Sequence, residues 1–178
     1  MFVYDGGNMD LLPEIVNRVT VRHFEERGID PACLDRILEA GRIAPSAKNR
    51  QPWRFIIVQD ERKRKMFEQA SFGQEHVGQA PAIIACCSTN IEYRMPNGQL
   101  SYPIDISFAA TQMMFQAVHE GLGTCVVTTF DEAALQEILT VPYSMRVVML
   151  LLLGYAAHTE PSFRERLALE RIISYEHW

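Results

Sequence analysis

Apolar positions along the chain switch between two periods, and the switches mark the elements. In residues 30–45, DPACLDRILEAGRIAP, Leu34, Ile37, Leu38 and Gly41 recur at helical spacing and line one face. Asp30 is placed to cap this helix, Pro31 occupies the first turn where its missing N–H costs nothing, and Pro45 stops it. An earlier helix in DLLPEIVNRVTVRHF is expected to end near Arg18. WRFIIVQ then reads as a strand, and DERKRKMFEQA as a short helix with a solvated ERKRK face.

PAIIACCST is apolar on both faces, which predicts a central strand. On it, adjacent Cys86 and Cys87 point to opposite sides of the sheet. Residues 90–103, NIEYRMPNGQLSYP, form a polar excursion with a Pro-Asn-Gly turn. The following helix, IDISFAATQMMFQAVHEGLG, is apolar nearly all round and stops at Gly121 or Gly123. TCVVTTF is a third strand, Asp131 caps EAALQEIL, and RVVMLLLLGYA is a fourth strand ahead of a mixed tail. Helices alternating with buried strands, without repeats or linkers, predict one domain over residues 1–178. The expected fold is a three-layer sandwich around a mixed central sheet.

Composition narrows the chemistry. The 178 residues are 48% hydrophobic and 22% charged, with a formal net charge of -5, which argues against a general nucleic-acid grip. The longest apolar run, VVMLLLLGYAA, is too short to span a bilayer, and the first ten residues lack a secretory pattern. Cys33, Cys86, Cys87 and Cys125 show no C-x-x-C spacing, and reduced, buried thiols in a cytoplasmic protein are expected. His23, His76, His119, His158 and His177 are scattered without ligand spacing, so no metal is expected. The absence of G-x-G-x-x-G after any strand argues against a Rossmann dinucleotide site.

Two groups of residues remain as candidate chemistry. Arg18, Thr20 and Arg22 alternate in NRVTVRHF, so in extended chain they face one way; Arg164 and Arg166 alternate likewise in SFRERLAL. Forked guanidinium donors match phosphate oxygens, although solvated surface charge explains single arginines equally well. The loop APSAKNRQPWRF sets Ser46, Asn49 and Gln51 between Pro45 and Pro52, which suits either a polar-edged ligand or a helix-stop loop of capping residues.

These stretches, with HEGLGTCVVTTFDEAALQEIL and the C-terminal LLLLGYAAHTEPSFRERLALERIISYEHW, resemble the nitroreductase-like flavoprotein family from about Arg18 to the end. The resemblance implies an α+β sandwich forming an intertwined homodimer, with FMN at two sites built from both subunits. By position, Arg18, Thr20 and Arg22 would hold the phosphate and the polar edge of the isoalloxazine. Pro45, Ser46, Asn49 and Gln51 would come from the other subunit, Arg164 and Arg166 would close on the phosphate, and residues 157–178 would form an arm around the partner. It further implies ping-pong hydride transfer from NAD(P)H to a nitroaromatic, quinone or other conjugated acceptor, with no catalytic side chain beyond the flavin. Where the family commonly has Trp and small residues after G-L-G-T-C, this chain has Val126, Val127, Thr128 and Thr129, so Thr128 and Thr129 would lie against flavin N5. Tyr93 and Tyr102 in the excursion, with Phe72 and Phe108, are candidates for the substrate pocket. Specialised relatives of the same fold (a reductive dehalogenase, a flavin-fragmenting enzyme) and a flavin-storing or flavin-sensing protein are the alternatives.

Overall fold

The computed structural model describes residues 10–158 and 166–178. In chain order it contains α1 (Pro13–Asn17), α2 (Pro31–Arg42), a 3-10 turn (Ala47–Asn49), β1 (Trp53–Val58), α3 (Glu61–Ala70) and α4 (Glu75–Gln79). There follow β2 (Ala82–Ser88), α5 (Tyr102–His119), β3 (Gly123–Val127), α6 (Glu132–Leu139), β4 (Arg146–Gly154) and a second 3-10 turn, Leu169–Arg171. The four strands form one sheet in the order β1-β2-β4-β3.

Every pairing among these strands is antiparallel. The expected mixed sheet is therefore corrected: the one parallel pairing among the described residues is an isolated bridge, Thr20 to Thr124. Alternating helices and strands suggested parallel crossovers, but α3 with α4, and α6, each return the chain to the sheet end it left. The next strand thus enters antiparallel.

Two apolar clusters separate cleanly across the sheet. On one face α2 and α5 pack on Ala82, Ile84, Cys86, Met149, Leu151 and Leu153. On the other, Phe67 of α3, Val77 of α4 and Leu135 of α6 pack on Ile83, Ala85, Cys87, Leu150 and Leu152. This is the three-layer arrangement expected. β2 from Ala82 to Cys87 and β4 from Val147 to Leu153 are apolar throughout because both their faces are covered, and Leu150 to Leu153 are wholly buried. Each such leucine contributes roughly 1.5–3 kcal/mol. A bulge shifts the register between Cys86 and Cys87, leaving Val148 as the extra residue on β4. All four cysteines are buried and free.

Caps follow the sequence. The amides of Ala32, Lys63 and Ala134 donate to Asp30, Asp60 and Asp131. Gly41 lets α2 approach α5 closely, since a Cβ there would sit 2.9 Å from both Cγ and Sδ of Met113. α5 begins at Tyr102, so Pro103 belongs to its first turn rather than to the excursion, and it ends before Gly121, whose φ is +77°. β3 stops at Val127, short of the strand expected through Phe130. The ERKRK face is not wholly solvated: half-buried Arg64 donates to the carbonyls of Gly78 and Ala80 at 2.8 and 3.0 Å and closes the end of α4.

Candidate functional site

The candidate residues fall into two groups at opposite edges of the sheet. The first is a strip following α1. Val21 N–H donates to the Thr124 carbonyl at 2.9 Å, and the strip runs on to pair Phe24 with Ala156. Val21 and Phe24 point inward and are buried, whereas Thr20 and Arg22 are exposed and Arg18 is half-buried. The alternation inferred from sequence is present, because the strip lies against β3 as an added extended segment. Gly123 makes this approach possible: a Cβ there would fall 2.4 Å from Val21 Cγ2.

Among the described residues, the side chains of Arg18, Thr20 and Arg22 have no hydrogen-bond or ion-pair partner, leaving a hydroxyl and two guanidinium groups available. Arg22 raises the positive potential around it. Its charge lowers the tendency of His76 to take a proton, after burial as the larger cause, and it opposes the burial that pushes the Cys125 thiol up. Thr128 and Thr129 leave β3 on this same side and are exposed; the Thr129 carbonyl accepts from Gln74 Nε2 at 2.9 Å. The strip's entry is fixed by Glu14 of α1, which lies 3.0 Å from His119 Nδ1 at the end of α5. That contact holds the Glu14 carboxyl below its usual range.

The second group is the loop before β1. Ser46 Oγ accepts from Gln51 N–H at 2.9 Å, and Gln51 Nε2 donates to Asn49 Oδ1 at 3.1 Å. Lys48, Asn49 and Gln51 all have φ near +50°, the left-handed region that costs a residue with a side chain roughly 1 kcal/mol or more. What holds this strained turn is Asp105, a carboxylate in the first turn of α5 that is 2% exposed. Its Oδ1 accepts from Ala47 N–H at 2.8 Å, and its Oδ2 is buried without a partner. Asp105 was not apparent from sequence, although it is the lone carboxylate in an otherwise apolar helix, which is a usable signal. The excursion closes over the loop: Arg50 and Lys48 lie 4.0 and 5.6 Å from the centre of the Tyr93 ring.

Tyr102 opens α5 beside this loop, and its nearness raises the proton affinity of Arg146, behind the larger effect of Glu132. Phe108 lies one turn past Asp105 and is 48% exposed. Phe72 lies elsewhere, exposed in a shallow cavity of about 310 Å³ with Met66, Gln69, Asp131, Ala134 and Ile138. Arg164 lies outside the described residues. Arg166 is exposed at the start of the described C-terminal segment. No group of three or more metal-ligating side chains occurs among the described residues.

Strip and loop do not meet within one chain. They are tied to opposite ends of α5, at His119 and Asp105. Fourteen residues of helix separate those anchors, about 21 Å of rise. They also flank opposite edge strands, β3 and β1, three strand spacings or about 14 Å apart.

The three-layer sandwich and the sequence together place the chain in a known class. The nitroreductase family model matches residues 15–82 and 70–155. A relative in Archaeoglobus fulgidus, whose name carries NADH dehydrogenase/NAD(P)H nitroreductase, is 31% identical over 156 residues, 82% of this chain and 85% of that protein. An NADH dehydrogenase of Thermus thermophilus is 26% identical over 196 residues, 93% of this chain and 95% of its own. Among solved structures, a nitroreductase family protein from Clostridium difficile 630 matches with a TM-score of 0.85 at 28% identity, covering 96% of this chain and all of that one. The chain belongs to the nitroreductase family and is an oxidoreductase of that family.

Proposed function

We propose that this chain is an FMN-dependent oxidoreductase that accepts hydride from NAD(P)H and passes it to a conjugated acceptor such as a nitroaromatic or quinone. In this reading it works as a homodimer, each site joining the strip of one copy to the loop of the other. The observation that carries it is the separation just described. Two polar half-sites, each suited to one side of a flavin and each incomplete, lie at opposite edges of one chain. An exposed apolar tail (Leu167, Leu169, Ile172, Tyr175 and Trp178) supports a second copy as the missing partner.

The residues fit the cofactor chemically. Arg18, Thr20 and Arg22 offer unpartnered donors to a phosphate and to the polar edge of a flat heterocycle. Ser46 Oγ already accepts from Gln51, which leaves its own hydrogen to donate. FMN, when bound, would supply the two-electron hydride chemistry. Arg22 would stabilise negative charge on the polar edge of the reduced flavin as a preorganised cation. Pro45, Asn49 and Gln51 would hold the ring, Arg164 and Arg166 would hold the phosphate, and Thr128 and Thr129 would lie toward N5, where branched side chains would narrow the space for an acceptor. Donor and acceptor would use one shared site in turn, so no dinucleotide fold is required.

An anaerobic absorbance spectrum, taken before and after stoichiometric NADH or NADPH, tests this reading. A flavin band that bleaches and returns with a quinone or nitroaromatic is expected; a flavin band that neither donor bleaches contradicts it. Arg18→Ala is expected to weaken FMN binding by roughly 1.5–3 kcal/mol in equilibrium titration.

A further inference from the structure

We infer that Lys48, Tyr93 and Arg50 form a recognition element for the phosphates of the hydride donor, separate from the group that holds the flavin's own phosphate. The inference rests on the proposed oxidoreductase reading and specifies how its donor is bound.

Two positive charges are held against one aromatic ring. Arg50 Cζ lies 4.0 Å and Lys48 Nζ 5.6 Å from the Tyr93 centroid. Neither cation has a carboxylate partner among the described residues, in contrast to Arg36, Arg42, Lys65 and Arg146, which each have one. Glu92, next to Tyr93, forms no ion pair with either. The negative face of the ring offsets the mutual repulsion of the pair and positions both. A guanidinium stacked by its face keeps its N–H edge for an oxyanion, and the ammonium keeps its donors.

The element is held from both sides. Tyr93 N–H donates to Asn90 Oδ1 at 3.1 Å, and its carbonyl accepts from Ser101 N–H at 3.1 Å. Lys48 is fixed by the left-handed turn that Asp105 anchors through Ala47. Cations set on this loop sit beside Ser46, Asn49 and Gln51, whereas the flavin phosphate is assigned to the strip. A second anion is therefore expected here. The ligand of matching chemistry that must enter is the dinucleotide, whose pyrophosphate accompanies its nicotinamide. With a net charge of -5 the protein as a whole repels such a donor, so a local positive pair is needed to retain it.

The test compares charged and neutral donors on the FMN-loaded dimer carrying K48A/R50Q. For NADH and NADPH, KM is expected to rise about five- to tenfold, the size expected for two exposed charge contacts. For neutral 1-benzyl-1,4-dihydronicotinamide it is expected to stay within about twofold. Salt should raise the wild-type KM for NADH, and do so much less in the variant. Tyr93→Phe should keep the discrimination and Tyr93→Leu should lose it. An equal rise for both donor types, no change for either, or weakened FMN binding in K48A/R50Q would each overturn the inference. Wild-type flavin that no donor bleaches would instead sink the oxidoreductase reading beneath it.

Discussion

The strip and the loop, the two halves of the proposed site, expose their polar groups by opposite means. The strip is relaxed extended chain laid along β3, and its position follows from apolar contacts: Val21 against Gly123, and Phe24 against the sheet. Its polar residues are free because nothing in the fold uses them. The loop is strained, with three residues in the left-handed region, and its position depends on one buried carboxylate. Packing thus places the strip, and hydrogen bonds place the loop, with the buried Asp105 tying it to α5. The difference predicts that the two halves fail separately.

The largest expected effect is on the loop. Asp105→Ala removes the acceptor for Ala47 N–H and should cost that amide about 1.5–3 kcal/mol of hydrogen-exchange protection, with strip amides such as Val21 unchanged. Asp105→Asn retains an acceptor oxygen and should restore most of it. Equal loss of protection at Val21 would erase the distinction between the halves. Conversely, Gly123→Ala should lift the strip, because its Cβ meets Val21, and lower stability by about 1–3 kcal/mol in urea unfolding. Protection at Ala47 should survive.

The smallest effect is at the strip's entry. Glu14 is held below its usual carboxylate range by His119, so its contribution is present above the unfolded carboxylate pKa and is lost as pH falls through the lowered value. Thermal unfolding of Glu14→Gln should therefore differ from wild type at neutral pH, with the gap closing in acid. A gap that widened in acid would remove the Glu14–His119 contact from the account.

Much of this was legible in the sequence, and for identifiable reasons. β2 and β4 were readable because strands covered on both faces carry apolar residues throughout. α2 was readable because its cap, first-turn proline and apolar face agree. α4 was not, since five residues with an internal glycine carry no period; it is held by Arg64 from α3. Thr128 and Thr129 have strand propensity, yet the chain leaves the sheet there to meet Gln74. The resemblance singled out the strip and the loop as candidates, but local patterns could not give Asp105 its role, because its partner Ala47 is 58 residues away. Nor could they show that strip and loop lie apart within one chain.

The central claim is that one chain's strip and another's loop make each site, and subunit complementation tests it most directly. A strip-defective chain, Arg18→Ala with Arg22→Ala, and a loop-defective chain, Ser46→Ala with Asn49→Ala, would each bind little FMN alone. Co-refolded in equal amounts, they should recover about a quarter of wild-type FMN, because half the dimers are mixed and each mixed dimer has one intact site. Mixed dimers isolated by two affinity tags that bind no more FMN than either parent would contradict the claim.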